Sequence, residues 1–293
     1  MTPSDSIRRT GEFDVADRQN LLGGRPSLEE IGTRYGTDKS SSCHGYLNFY
    51  DSVLKHLRDR SVTLLEIGVF NGASTKMWRD YFSNGQIVGL DIDERCRHIA
   101  EGRITIEIGD QSDVADLSSI SAKYGPFDIV IDDGSHIWDH QITALQYLYP
   151  FVKTGGFYIL EDLHTSFGKH AQAYKGRSES SGFDYLQKLS RYIVAYTDLD
   201  RNEEEDSFIR SFAARTEWIT FHRRTAVLRC SAPWRPYRSA SPPPLSVEQF
   251  VGSVGGLRLL IHCATIGDVI NPSYSAHSRD SETSVVQAFE FTA

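Results

Sequence analysis

Two short apolar segments, Phe127–Ile131 and Phe157–Leu160, each run directly into ionisable side chains. The residues concerned are Asp132, Asp133 and His136 after the first segment, and Glu161 and Asp162 after the second. Several carboxylates brought into one cleft are costly unless a cation or a proton neutralises them. An all-oxygen ligand set without cysteine favours a hard ion, so we expect Mg²⁺ here, with Mn²⁺ or Ca²⁺ as alternatives.

Purely structural roles are the alternative for the same side chains. Asp132 or Asp133 could instead cap the helix that is expected to begin near Ile137. His136 could be a hydrogen-bonded structural histidine, and Glu161 could be a lone contact to a substrate.

A turn that contains two glycines follows an earlier apolar segment, Thr63–Ile67. A glycine-rich turn between a strand and a helix brings the backbone close to a ligand. Gly68 and Gly72 do not match the GxGxxG spacing that places a pyrophosphate at a helix N-terminus. Glu66, at the end of the segment, would repel a pyrophosphate but suits a cationic ligand. The pattern therefore disfavours a dinucleotide.

The next two apolar segments also end in polar residues. Asp91 follows the second segment and is placed to accept hydrogen bonds from two ribose hydroxyls. Asp110 and Gln111 follow the third segment, where a carboxylate and an amide could read an adenine edge. An acid, a glycine turn, a ribose-binding acid and an adenine reader at successive strand ends describe an S-adenosylmethionine site.

These residues need a framework that brings the segment ends together. From about residue 45 to 230, short apolar runs alternate with amphipathic stretches of helical length, which is typical of βα units. We expect an α/β fold with a doubly wound, mostly parallel, seven-stranded sheet, in which strands one, four and five lie side by side. A helix is expected over Tyr46–Leu57. The predicted strands, the last two open to forming a hairpin, are Thr63–Ile67, Ile87–Leu90, Ile104–Ile108, Phe127–Ile131, Phe157–Leu160, Ile193–Ala195 and Ala226–Leu228.

Composition and charge exclude several classes of protein. The 293 residues are 40% hydrophobic, enough for a packed core, and no apolar run approaches the roughly 20 residues of a membrane helix. The net charge of −8 disfavours a nucleic-acid binder. The 4 cysteines are too sparse for a zinc site or a disulfide framework. Because Met1–Asn20 contains no apolar signal segment, we expect a cytoplasmic protein whose partners include neither nucleic acid nor a membrane.

Four motifs carry a resemblance to a known family. They are Tyr35-Gly36-Thr37-Asp38-Lys39, Leu65-Glu66-Ile67-Gly68, Asp132-Asp133-Gly134-Ser135-His136 and Leu160-Glu161-Asp162-Leu163-His164. As a set they resemble the Mg²⁺-dependent class I O-methyltransferases of macrolide sugars, of the mycinamicin type, with cephalosporin hydroxylase-like proteins as more distant relatives. The resemblance covers residues 30 to 230, and the larger macrolide enzymes carry an additional N-terminal domain.

The resemblance implies a class I methyltransferase fold and a role for each motif. Asp133, Glu161 and Asp162 would hold the metal, and His136 would be the general base, with Asp133 also taking a catalytic part. Asp91 would bind the ribose of the cofactor. The other residues expected at the cofactor site are Tyr35, Lys39, Glu66, Gly68, Gly72, Ser74, Asp110 and Gln111.

The motifs and the proline content predict that the chain is divided into four parts. Residues 1–30 are expected to form an N-terminal arm, residues 31–230 the methyltransferase domain, residues 231–245 a proline-rich linker and residues 246–293 a small β-rich appendage. Strands are predicted in the appendage at Arg258–Cys263 and Val285–Phe291. It is expected to pack on the main domain or on a partner subunit, which leaves a homo-oligomer open.

Together these features predict a metal-dependent O-methyltransferase that uses S-adenosylmethionine and Mg²⁺ to methylate a sugar hydroxyl of a glycosylated small molecule or glycan. The stretch Gly168–Gly182 is predicted to be a mobile lid. Two alternatives stay open, namely methylation of a catechol-like or other polyketide hydroxyl, and a non-catalytic protein that binds S-adenosylmethionine or a glycan.

Overall fold

The computed structural model describes residues 24–195 and 206–232, together with the backbone of three strands at residues 248–254, 257–266 and 269–276. The chain divides into two compact units, Met1–Trp234 and Arg235–Ala293. Within the described ranges, no helix is both long and apolar enough to cross a membrane. Of the predicted N-terminal arm, only the part from residue 24 onward is described. The division of the chain into four parts stays a prediction.

The first unit is built on a seven-stranded sheet. Its strands are β1 (Thr63–Ile67), β2 (Gln86–Asp91), β3 (Ile104–Ile108), β4 (Phe127–Asp132), β5 (Val152–Leu160), β6 (Thr216–His222) and β7 (Thr225–Cys230). The order across the sheet is β3-β2-β1-β4-β5-β7-β6, with β1 to β5 parallel and β6 and β7 joined as an antiparallel hairpin. The predicted doubly wound, mostly parallel sheet is confirmed, with β1, β4 and β5 side by side.

Helices precede and connect the strands of this sheet. They are α1 (Leu28–Tyr35), α2 (Leu47–Leu54), α3 (Ala73–Tyr81), α4 (Val114–Tyr124), α5 (Trp138–Leu148), α6 (Gly168–Tyr174), α7 (Gly182–Val194) and α8 (Ser207–Phe212). Short 3₁₀ helices lie at Lys55–Leu57, Glu94–Ile99, Tyr149–Phe151, Leu163–Ser166 and Ala213–Arg215. The helix expected over Tyr46–Leu57 is thus present as α2 and the 3₁₀ turn that follows it.

The central strands are buried on both faces, as expected for a parallel sheet covered by helices. Successive residues alternate between two separate hydrophobic clusters: Leu65 and Val130 belong to one, and Leu64 and Ile129 belong to the other. The alternation follows from the two-residue period of a strand. Each face therefore has its own core, and the polar residues that follow the strands lie at the edge between the two.

The strand predicted at Ile193–Ala195 is wrong. Those residues end α7, whose buried side chains Tyr185, Leu186 and Leu189 have helical spacing, and Val194 is exposed. The sixth strand is instead β6, at the edge of the sheet. An edge strand buries few of its side chains, so β6 lacks the apolar run by which the central strands are recognised.

The second unit contains a three-stranded antiparallel sheet. Its strands are β8 (Glu248–Val254), β9 (Leu257–Ile266) and β10 (Val269–Ala276), in the order β10-β9-β8. The predicted strand Arg258–Cys263 lies within β9, whereas β8 and β10 were not predicted. The predicted strand Val285–Phe291 and most of the predicted linker lie outside the described residues.

The turn after β1 approaches the loop after β4 closely at Gly68. A Cβ added to Gly68 would lie 2.1 Å from the carbonyl oxygen of Asp133, whereas one added to Gly102 would meet nothing within 4 Å. Both glycines have positive φ angles, +88° and +56°. Gly102→Ala should therefore cost only the strain of a left-handed residue, about 1–2 kcal/mol. Gly68→Ala should lower the free energy of unfolding by about 1–3 kcal/mol more, because the backbone of Asp133 must also move.

Urea-induced unfolding of the two variants measures this difference. Equal losses of stability in Gly68→Ala and Gly102→Ala would show that the close approach of the two loops adds nothing to the cost of the Gly68→Ala substitution.

Candidate active site

The pairing of the central strands aligns their ends. In the sheet register, Asp132 pairs with Ile67 on one side and with Leu160 on the other. The pairing continues one residue further, since the N–H of Asp133 donates to the carbonyl of Ile67 (3.0 Å) and that of Glu161 to the carbonyl of Asp132 (3.0 Å). The predicted metal-binding residues are therefore placed side by side by main-chain hydrogen bonds.

A lysine from the segment between α1 and α2 inserts among these carboxylates. The Lys39 ammonium donates to Oδ2 of Asp133 and to Oε2 of Glu161, the latter at 2.7 Å, and the Lys39 side chain is fully buried. Burial alone would lower the pKa of Lys39, but the charges of Asp133 and Glu161 outweigh it and raise that pKa well above its ordinary value. The Tyr50 hydroxyl donates to Oε1 of Glu161 (3.0 Å), so both oxygens of that carboxylate accept hydrogen bonds.

Asp162 lies at the centre of a group of histidines. Its backbone is left-handed, with φ at +56°. Its Oδ1 accepts a hydrogen bond from the Tyr46 hydroxyl (2.9 Å) and lies 3.7 Å from Nδ1 of His44 and 3.8 Å from Nδ1 of His164. Its Oδ2 lies 3.5 Å from Nε2 of His136.

Three of these residues could hold a metal ion. Asp133, His136 and Asp162 each offer a ligand atom, and these atoms lie within 4.8 Å of one another. His136 is left-handed, with φ at +59°, and its buried Nδ1 has no hydrogen-bond partner among the described residues. Two carboxylates and an imidazole form a donor set that suits a divalent cation. The predicted ligand Glu161 is not among the three, and both of its carboxylate oxygens accept hydrogen bonds from Lys39 and Tyr50.

The capping alternative for Asp132 and Asp133 is wrong. The N-cap of α5 is Ile137, and no side chain caps that helix. Asp132 instead points into the protein, where its carboxylate accepts hydrogen bonds from Nε2 of Gln111 (3.1 Å) and from the Tyr158 hydroxyl (3.3 Å). Burial raises the pKa of Asp132 to about 7.

A cavity of about 1020 Å³ opens along this edge of the sheet. Its size suits a small-molecule ligand. Eight of the predicted site residues line it, namely Gly68, Ser74, Asp91, Asp110, Gln111, Asp133, His136 and Asp162. Five of the nine predicted cofactor residues and two of the three predicted metal ligands thus share one cavity, whereas the third ligand, Glu161, does not line it.

Four residues predicted at the cofactor site do not line this cavity. Glu66 is fully buried and accepts hydrogen bonds from the Thr75 hydroxyl (2.6 Å) and from Nε1 of Trp78 (3.1 Å), so it braces α3. Gly72 is the left-handed N-cap of α3. The Tyr35 hydroxyl donates to Asp80 (2.5 Å), and Lys39 binds the carboxylates described above.

Asp91 has a structural role that the sequence did not reveal. Its Oδ2 accepts hydrogen bonds from the backbone N–H groups of Val69 (2.8 Å) and Phe70 (2.9 Å), and its Oδ1 from that of Asp93 (2.9 Å). Burial raises the pKa of Asp91, but these N–H groups outweigh it and hold the pKa below its ordinary value. Asp91 therefore stays ionised and fixes the turn after β1.

Two apolar residues of the cavity were missed by sequence reasoning. Phe70 is 85% exposed and Ile92 is 71% exposed, and both line the cavity. Each lies within three residues of a strand end, which is the one signal in the sequence that could have singled them out. Their exposed surfaces could pack against the apolar parts of a bound nucleoside.

Comparison with protein-family models gives no match for the chain. The chain is 40% identical over 174 residues to the demethylmacrocin O-methyltransferase of Streptomyces fradiae, a match that covers 56% of this chain and 44% of that protein. It is 39% identical over 177 residues to the mycinamicin VI 2''-O-methyltransferase of Micromonospora griseorubida, again covering 56% of this chain and 44% of that protein. The chain therefore spans less than half the length of these curated relatives.

Comparison with solved structures also finds a methyltransferase of antibiotic biosynthesis. The MycE methyltransferase of the mycinamycin biosynthetic pathway, in complex with Mg and SAH, has a TM-score of 0.64 and 31% sequence identity, over 75% of this chain and 60% of that chain. The same enzyme in complex with Mg, SAH and mycinamycin VI has a TM-score of 0.62 at 29% identity, over 76% of this chain and 61% of that chain. The seven-stranded sheet has the class I S-adenosylmethionine methyltransferase fold, and the chain is similar to the sugar O-methyltransferases of macrolide and tetracenomycin biosynthesis.

Proposed function

We propose that this protein is a metal-dependent S-adenosylmethionine O-methyltransferase that acts on a sugar hydroxyl of a glycosylated small molecule, in the cytoplasm. One observation carries the proposal: the cavity that contains Asp91 also contains Asp133, His136 and Asp162. A cofactor at Asp91 and a metal at Asp133 and Asp162 would therefore face the same space. The similar enzymes are named for methylation of glycosylated antibiotics, which supports the choice of acceptor.

S-adenosylmethionine supplies the methyl group of such a reaction, and a divalent metal supplies positive charge that orients an acceptor hydroxyl and lowers its pKa. Asp133, Glu161 and Asp162 would hold the metal. Lys39 and Tyr50 fix the Glu161 carboxylate, so its position does not depend on the metal. Asp91, ionised in the folded protein, would accept hydrogen bonds from the ribose hydroxyls.

His136 would take the proton from the acceptor oxygen. Its Nε2 lies 3.5 Å from Oδ2 of Asp162, and this carboxylate would stabilise the imidazolium that forms. His136 is also close enough to Asp133 and Asp162 to be a metal ligand. The two roles differ in one respect, because a ligand contributes to metal affinity whereas a base contributes to turnover.

The proposed activity is tested with purified protein, labelled S-adenosylmethionine and a panel of glycosylated acceptors and their aglycones. We expect methyl transfer to the glycosylated acceptors, loss of transfer in EDTA and recovery with Mg²⁺. Transfer only to aglycones would point to a catechol-like or other polyketide hydroxyl. Cofactor binding without transfer to any acceptor would favour a non-catalytic binding protein.

Asp91→Ala should weaken binding of S-adenosylhomocysteine by roughly 10- to 100-fold, since a hydrogen bond to a charged group contributes about 1.5–3 kcal/mol. Isothermal titration calorimetry gives the affinity. Asp113→Ala is the matched control, because Asp113 also accepts a backbone hydrogen bond, as the N-cap of α4, but does not line the cavity. If Asp91→Ala binds S-adenosylhomocysteine as tightly as the unaltered protein, the ribose does not bind at Asp91.

Asp162→Asn should weaken Mg²⁺ binding by about 10-fold or more, because the variant keeps the shape of the side chain but loses a ligand charge. The affinity is measured by calorimetry in the absence of any acceptor. Glu179→Gln is the control, since the Glu179 side chain is 89% exposed and pairs only with Lys175 among the described residues. The metal assignment fails if both variants bind Mg²⁺ as tightly as the unaltered protein.

His136→Ala should lower kcat by roughly 10²- to 10⁴-fold while Mg²⁺ and S-adenosylhomocysteine bind as before, because a base acts in the transition state. His56→Ala provides the control, since His56 is exposed and packs against Phe157 away from the cavity. A His136→Ala variant that loses Mg²⁺ affinity together with kcat would make His136 a ligand and leave the base to another group.

A further inference from the structure

The β6–β7 hairpin ends in two consecutive arginines next to the candidate active site. Arg223 and Arg224 form its two-residue connection, because His222 pairs with Thr225. The N–H of Leu163 donates to the carbonyl of Arg224 (2.7 Å), which fixes the connection beside the residue that follows Asp162. The backbone of the connection thus lies next to the segment that contains Asp162.

The backbone of Arg223 is strained, and its side chain packs against a neighbouring segment. Its φ of +52° is left-handed, a conformation that costs a residue other than glycine about 1–2 kcal/mol. Its guanidinium packs against the backbone of Gly45, where an added Cβ would lie 3.1 Å from Nη1. Gly45 separates His44 from Tyr46, and both of these reach Asp162. Strain of this kind persists where the surrounding structure imposes it and is concentrated at functional sites.

Neither guanidinium is neutralised within the described part of the chain. Both side chains are exposed, and no hydrogen bond or ion pair to a described residue involves either of them. Other arginines of this protein are paired, among them Arg79 with Glu101 and Arg177 with Asp139. Both guanidinium groups are therefore available to an anionic ligand.

The surroundings of the hairpin connection add further nitrogen donors. His44 and His164 lie on the same side of Asp162, towards its Oδ1, whereas His136 lies towards Oδ2. Neither Arg223 nor Arg224 lines the cavity assigned to the cofactor. The two arginines therefore lie outside that cavity, with the Arg223 guanidinium against Gly45, next to His44.

We propose that Arg223 and Arg224 form a binding site for an anionic group of the acceptor, a carboxylate or a phosphate attached to or near the methylated sugar. Planar guanidinium groups bind such oxyanions in a bidentate manner. This proposal rests on the proposed function, since it names the acceptor of that site as acidic, such as a uronic acid or a phosphorylated sugar. Such an anion-binding site would distinguish this chain from an enzyme that selects its acceptor by apolar contacts alone.

Binding of small anions tests the site without turnover. The full chain is titrated with glucuronate, with inorganic phosphate and with neutral glucose at constant low ionic strength, and the arginine side-chain signals are followed by NMR. We expect saturable shifts at Arg223 and Arg224 with the two anions and none with glucose. Tighter binding of glucuronate would identify a carboxylate as the ligand group, and tighter binding of phosphate would identify a phosphate. Added NaCl should weaken both by screening.

Two variants separate recognition from folding. Arg224→Gln removes one charge, and Arg223→Gly removes the other while relieving the left-handed strain, so its thermal stability should not fall. Each should weaken anion binding roughly 10-fold. Arg60→Gln is the control, because Arg60 is exposed and lies before β1 at the opposite edge of the sheet. Anion affinity that is absent, or equal in all four proteins, would overturn the proposal.

Methyl transfer and cofactor binding are measured on the same samples. If S-adenosylhomocysteine does not bind while the anions still do, the proposed function fails and the anion site stands. If neutral sugars are methylated and Arg223→Gly and Arg224→Gln leave kcat/KM unchanged for acidic and neutral acceptors, the anion site fails and the methyltransferase stands.

Discussion

The candidate site depends on a buried positive charge. Asp133 and Glu161 lie at adjacent strand ends, and two unpaired carboxylates at that depth would repel each other and lose their hydration. The ammonium group of Lys39 offsets both effects, because it carries the opposite charge and donates to both carboxylates. Because the charge belongs to the chain itself, the carboxylates are positioned before any metal arrives. Asp132 has no cation beside it among the described residues, and its burial raises its pKa to about 7.

The register of the parallel strands sets the remaining geometry. Main-chain pairing places Gly68, Asp133 and Glu161 next to one another, and Gly68 leaves room for the backbone of the loop after β4. The described residues other than glycine with positive φ angles are Phe70, His136, Asp162 and Arg223. All four follow strands at this same edge of the sheet or lie in the hairpin connection beside it. Local strain is thus concentrated where the chemistry is proposed, and the two hydrophobic clusters on either face of the sheet provide the rigidity that sustains it.

Asp162 divides the site into two sides. Towards the cavity lie His136 and the turn braced by Asp91, a side whose residues suit a nucleoside cofactor. Towards its other carboxylate oxygen lie His44 and His164, and the guanidinium of Arg223 packs against Gly45, next to His44. Connections between strands tolerate changes of sequence more readily than the strands themselves, so specificity can change here without loss of the fold.

Local sequence patterns were sufficient to predict the central strands and the two acidic clusters that follow β4 and β5. Continuous apolar runs identify strands buried on both faces, and the carboxyl ends of parallel strands must share one edge. The same reasoning failed for β6, because an edge strand has no such run. Lys39 and Glu66 were also expected at the cofactor site, and neither lines the cavity. Only the tertiary structure decided that Lys39, 94 residues before Asp133 and 122 before Glu161, would become their counter-ion, and that Glu66 would turn towards α3. The partners of Lys39 are set by packing between distant segments, and those of Glu66 by the way α3 folds back on β1; neither local periodicity nor residue spacing contains that information.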